Sequence, residues 1–173
     1  GKPLQKMGWH ASDTAELFFD GTPLPEDALI GPENGGFVVA MINFATERLV
    51  LAVTAVAIAE LALEHTVAYV KSRQAFGRSI AGFQVTRHRL ADMATEIAAA
   101  KALAYSVAAK MQRGESPIVE VAMAKNAATD ACSRVVDGCV QLHGGTGFMR
   151  GTLVERLYRD ARLYPIGGGT REI

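Results

Sequence analysis

The sequence predicts a mainly α protein: an antiparallel four-helix bundle preceded by a short remnant of a β domain. Three observations carry this. From Gly36 onward, apolar residues recur at three- and four-residue spacing in long runs. Each run stops at a short break bearing Gly or Pro. Residues 1–33 show instead a partial two-residue alternation among turn signals.

Within that first segment Ala15-Glu16-Leu17-Phe18-Phe19-Asp20 reads as a short strand, followed by the turn signals Gly21-Thr22-Pro23 and Pro25-Glu26-Asp27. One or two strands do not stand alone in water, so residues 1–33 read as the end of a β domain. An N-terminal arm packed on the helices is the alternative. Residues 34–173 form the bundle. Its first helix runs from Phe37 to about Ser72, with room for one interruption near Glu47. Arg73 to Arg78 ends it, and Gly77 is able to take a positive φ. The second helix runs from Val85 to Arg113 and stops at Gly114-Glu115-Ser116-Pro117. The third starts after that proline and ends near Leu142. A shorter fourth covers Thr152 to Leu163, and Pro165 with Gly167-Gly168-Gly169 forbids its continuation. Short loops make neighbouring helices antiparallel, and Ala98-Ala99-Ala100 and Ala127-Ala128 let helix axes approach closely.

Composition narrows the partners. Lys+Arg and Asp+Glu number 18 each, so no net field draws in phosphate backbones, and nucleic acid is not an expected partner. The longest uncharged apolar run, Leu49 to Ala59, falls short of the roughly 20 residues a bilayer requires, so no membrane span is expected. Gly1 to Lys6 leads into no hydrophobic signal segment. The chain therefore reads as soluble and intracellular, with bacterial cytoplasm as the default and the mitochondrial matrix if the source is eukaryotic. Cys132 and Cys139 lie two helical turns apart, too far to be bridged, and read as small core residues. No metal site is expected. A di-iron bundle needs Glu-x-x-His, and none of His65, His88 or His143 has Glu three residues before it; no zinc spacing links them to His10.

Glu47 is the acidic residue that draws attention. On a helix it shares a face with Asn43, Phe44, Val50 and Leu51, while Arg48 points about 100° away. Apolar neighbours should raise a carboxyl from its reference near 4.3 toward neutrality, which suits a general base; a structural ion pair is the alternative. Arg73, Phe76 and Arg78 put two guanidinium groups and a ring at a helix end. That set suits a pyrophosphate, although the helix dipole alone also favours arginine there. Gly144-Gly145-Thr146-Gly147 follows a helix rather than a strand, which excludes a Rossmann loop and leaves a helix cap whose bare backbone a ligand can approach.

Together these stretches resemble the acyl-CoA dehydrogenase family. The similar segments are Met7-Gly8-Trp9-His10-Ala11-Ser12-Asp13-Thr14 with the following strand, Glu47-Arg48-Leu49, Arg73-Gln74-Ala75-Phe76-Gly77-Arg78 with Phe83-Gln84, Gln141 to Gly147, and Arg159-Asp160-Ala161-Arg162 running into Ile166-Gly167-Gly168-Gly169-Thr170. The resemblance implies the C-terminal part of a longer flavoenzyme, entered inside the middle β domain and ending before the last helix of the bundle. It implies α,β-desaturation of an acyl-CoA thioester to a trans-2-enoyl-CoA, with a carboxylate taking the α-proton and FAD the β-hydride. Electrons then pass to an electron-transfer flavoprotein, and the fragment alone is expected to be inactive. In most of the family the base is a Glu at the position of Gly168; a minority, the isovaleryl- and long-chain-type enzymes, carry it at the position of Glu47. Glutamate at 47 with glycine at 168 selects that subgroup, and Gly168→Glu is expected to restore partial activity to Glu47→Gln.

By the same resemblance Arg73, Gln74, Ala75, Phe76, Phe83 and Gln84 contact FAD. Gln141, Leu142, His143, Gly144 and Gly145 take its adenosine and pyrophosphate side, often from a neighbouring subunit, and Thr170, Arg171 and Glu172 complete that site. Phe44, Ala45, Thr46, Arg48, Gly168 and Gly169 line the acyl-CoA, with the Gly168 N–H polarising the thioester carbonyl. A homodimer or homotetramer is implied. The competing readings are an acyl-CoA oxidase-like enzyme and a non-catalytic helical oligomerisation module.

Overall fold

The computed structural model describes residues 1–172. Three long helices form the frame. They are α1 (Gly36–Ser72), α2 (Gln84–Gln112) and α3 (Ile118–His143). A single helical turn, α4 (Gly145–Phe148), and the shorter α5 (Leu153–Ala161) follow. Between α1 and α2 lies a small hairpin of β1 (Gln74–Ala75) and β2 (Arg78–Ser79). Cross-links give the directions. Glu96 with Arg134 and Lys110 with Glu120, each at 2.8 Å, set α2 antiparallel to α3. α1 and α3 run parallel, because Tyr69 donates to the His143 carbonyl at one end while the loop after α5 touches Arg48 and Lys125 at the other. α5 returns the chain along α3, completing an up-down-up-down bundle.

The core is rich in alanine. Ala52, Ala55, Ala59 and Ala62 of α1 face Ala124, Ala128 and Ala131 of α3, and Val56, Ile97, Val135 and Leu157 fill the space between the helices. Small side chains draw the axes together, so dispersion contacts replace bulk in holding the helices. α1 is continuous through Glu47, so the interruption allowed for there does not occur; no Gly or Pro breaks the run from 37 to 72. By length and composition α1 is also apolar enough to cross a bilayer, unlike the count of uncharged residues alone, because a span tolerates one or two charges. Its stripe from Ala52 to Val70 is buried against α2 and α3, as in a core helix.

Two local expectations are corrected. Ala15 to Asp20 is no strand: residues 1–35 form no ladder, and Leu17, Phe18 and Phe19 are exposed. A ladder needs a partner, and residues 15–20 make no backbone hydrogen bond among the described residues; the nearest such bond is Leu4 N–H to Thr14 O at 2.7 Å. The segment lies as an arm on α5, with Trp9 N–H donating to Asp160 Oδ1 at 2.6 Å and the Trp9 ring meeting Tyr164 edge-on. The second correction is the hairpin, which the sequence reads as a helix end. Phe76 (φ +51°) and Gly77 (φ +80°) form a two-residue turn with both residues in the left-handed region. Asn-Gly would have announced such a turn, whereas phenylalanine there is a strained exception. α5 is also shorter than expected at both ends, and turns carry the chain on to Gly167.

Candidate active site

Glu47 and Arg48 sit in the first third of α1, beneath the loop that follows α5. Arg48 Nε donates to the Gly168 carbonyl at 2.8 Å, and its guanidinium lies 5.6 Å from the centre of the Phe44 ring. Glu47 is half-buried and makes no salt bridge or side-chain hydrogen bond among the described residues. Its Oε1 lies 3.7 Å from where a β-carbon on Gly168 would stand. Arg48 was expected to turn away from Glu47, yet both reach the loop, because Gly168 lies over the pair: the same β-carbon position is 3.5 Å from Arg48 Cγ. Gly168 (φ +66°) and Gly169 (φ +90°) occupy the left-handed region, where a side chain is strained. The Gly168 N–H meets no acceptor among the described residues. The Glu47 carboxylate thus lies beside Gly168, whose N–H has no partner among the described residues, with Phe44 and Ala45 half-buried and Thr46 exposed around them.

Lys125 is the residue of this site that sequence reading missed. It is only 2 % exposed, and its ammonium donates to the carbonyls of Gly169 and Pro165. Burial pushes its pKa down, the Arg48 charge pushes it further, and Glu172 opposes both. The signal was a lone cation within the stripe Val121, Ala124, Ala128, Thr129, Cys132, which is the buried face of α3. Thr170 is half-buried on the same loop, and Arg171 pairs with Asp130 at 2.7 Å.

A second cluster lies at the far end of α1 and α3. Arg73, Gln74 and Phe76 are exposed there, Phe76 by 96 %, with Ala75 half-buried between them. Arg78 lies 3.9 Å over the Phe83 ring, and Gln84 sits within 3.4 Å of His88. Gln141, Gly144 and Gly145 are exposed beside this end, with Leu142 half-buried. The His143 side chain is not presented with them. It is buried, stacked 4.1 Å from Tyr69 and 5.5 Å from His65. Its Nδ1 lies 2.8 Å from the Cys139 carbonyl, which only accepts, so Nδ1 carries the proton and Nε2 is left without a partner. Burial holds its pKa below the usual histidine value, and His65 adds to that.

The sites assigned from sequence thus divide. Glu47, Arg48, Gly168, Gly169 and Thr170 to Glu172 lie at one end; Arg73 to Gln84 and Gln141 to Gly145 lie at the other. Between Arg48 and Arg73 run about 25 residues of helix, about 37 Å at the standard rise. Thr170, Arg171 and Glu172 therefore lie a helix length away from Gln141 to Gly145 of the same chain.

The sequence model of the acyl-CoA dehydrogenase C-terminal domain matches residues 34–173. The chain belongs to the acyl-CoA dehydrogenase family. An acyl-CoA dehydrogenase of Bacillus subtilis is 45 % identical over the whole chain, which covers 46 % of that protein. The mitochondrial long-chain specific acyl-CoA dehydrogenase of Sus scrofa is 42 % identical, again over the whole chain and 40 % of its own length. Among solved structures, a probable acyl-CoA dehydrogenase from Mycobacterium abscessus superimposes with a TM-score of 0.97 at 46 % identity, over 99 % of this chain and 46 % of that one. The chain spans less than half the length of these relatives. The acyl-CoA dehydrogenases are FAD-dependent oxidoreductases. The far-end cluster fits such a cofactor in kind, offering guanidinium forks for pyrophosphate oxygens, an exposed ring for a flat heterocycle, and bare glycine backbone for close approach.

Proposed function

We propose that this chain is the catalytic C-terminal region of an acyl-CoA dehydrogenase that desaturates an acyl-CoA thioester to the trans-2-enoyl-CoA, with Glu47 as the base. The observation that carries the reading is the closeness of the Glu47 carboxylate to Gly168, its Oε1 3.7 Å from the β-carbon position there, neither the carboxylate nor the Gly168 N–H having a partner among the described residues. Glu47 takes the α-proton, and the Gly168 N–H donates to the thioester carbonyl, where negative charge gathers as that proton leaves. Arg48 holds the Gly168 carbonyl, which fixes the plane of that peptide and hence the aim of the loop. FAD, when bound, would supply the acceptor for the β-hydride, with an electron-transfer flavoprotein as the onward electron partner. Arg73, Gln74 and Phe76, with Gly144 and Gly145, are the residues that would hold its adenosine and pyrophosphate end. Since that cluster is about 37 Å from Arg48, one cofactor would draw on two chains, which supports a homodimer or homotetramer. The compartment follows the source, bacterial cytoplasm or mitochondrial matrix.

The test is Glu47→Gln in the full-length protein. Bleaching of the flavin by acyl-CoA should be lost while FAD remains bound. Normal bleaching in that variant would refute the assignment.

A further inference from the structure

We infer that Lys125 is a positioning residue for this site: from α3 it clamps the loop between Pro165 and Gly169, and so holds Gly168 over Glu47. Three successive glycines, Gly167 to Gly169, form the most pliable backbone in the chain, and nothing in their own side chains fixes them. A backbone bond from the Gly167 N–H to Leu163 O at 2.9 Å ties the start of the triplet, and two cations on different helices tie the rest. Arg48 of α1 takes the Gly168 carbonyl, while Lys125 takes the Gly169 and Pro165 carbonyls on either side of it. Burying an ammonium for packing alone is costly, and an apolar residue would suit the stripe around it better. What the lysine contributes there is directional: it satisfies carbonyls that otherwise turn inward without partners. Lys125 acts through the loop and is not placed against substrate. Without it the triplet is tied only by the Gly167 N–H to Leu163 O at its start and by Arg48 at the Gly168 carbonyl, Gly169 is released, and the Gly168 peptide is less firmly held over the carboxylate.

The kinetic side of this proposal rests on Glu47 being the base; the structural side does not. The experiment compares wild type, Lys125→Met, Lys125→Gln and Glu47→Gln in the full-length protein. In Lys125→Met, amide exchange across residues 164–172 should quicken about tenfold. Flavin reduction at saturating acyl-CoA should slow about 10- to 100-fold, while affinity for the enoyl-CoA product changes little. Lys125→Gln, which keeps a donor, should lie between Met and wild type, and it supplies the comparison should the Met variant not fold. Wild-type exchange and wild-type reduction rates in both lysine variants would overturn the proposal. So would a parallel fall in rate, product affinity and flavin content, which marks general damage. A fully active Glu47→Gln would remove the base assignment, leaving the exchange measurement to decide on Lys125.

Discussion

The Glu47 carboxylate faces Gly168 across a gap that a single side chain would close: Oε1 is 3.7 Å from the position of a β-carbon there. That position is also only 2.8 Å from Leu51 Cδ1, and the backbone carries φ +66°. A side chain at 168 therefore meets both strain and a neighbour. Gly168→Ala should cost about 1–3 kcal/mol, read by chemical denaturation. The expected rescue of Glu47→Gln by Gly168→Glu has to overcome the same obstacle. Adding Leu51→Ala to that pair should raise flavin bleaching above the level of the pair alone, and equal rates with and without it would show that Leu51 does not stand in the way.

Phe76 combines a left-handed backbone with a fully exposed ring, so stability and ligand contact should part company there. Phe76→Gly removes the strain and should leave thermal stability equal or higher, by about 1 kcal/mol. The same change should speed the loss of FAD on dialysis. Unchanged cofactor retention would assign the ring to some other contact.

His143 should make stability depend on pH in mildly acidic solution. Its folded pKa lies below 6.5, the unfolded reference. Below pH 6.5 the unfolded chain binds the proton more readily, so stability declines as pH falls from 6.5 toward the folded value and is complete above 6.5. His143→Phe keeps the stack on Tyr69 and removes the titration. Denaturation midpoints between pH 7 and pH 5 should fall less steeply in that variant than in wild type.

α5 is too short to persist without its packing, and Leu157, 6 % exposed, is one of its core contacts. Leu157→Ala should cost about 2–5 kcal/mol in a denaturation experiment. Because the loop from Pro165 to Gly169 hangs from this helix, catalytic turnover should fail at a lower temperature than the melting of the three long helices.

Cys132 and Cys139 are free and buried, and burial pushes the Cys132 thiol up to about 12. Neither should react with a thiol reagent at pH 8 until the protein is unfolded. Fast labelling of native protein would mean that the α1–α3 interface opens.

The helices were legible because each long run kept its period until a glycine or proline ended it, as at Gly114 to Pro117. The pairing of Glu47 with Gly168 was legible only through the family resemblance, since no local pattern brings together positions 121 residues apart in sequence. The hairpin escaped because its turn uses Phe76 where asparagine is usual. Lys125 escaped because one cation in an apolar stripe looks like an error of register until the carbonyls it serves are seen. The buried state of His143 escaped for a related reason: the residues that enclose it, His65 and Tyr69, come from another helix.

The distance between the two clusters has a consequence for handling the molecule. On the reading proposed above, a lone chain carries the two halves of a nucleotide seat at opposite poles of a rod and can close neither. Yellow colour would then report pairing, and dilution by itself should release the dye.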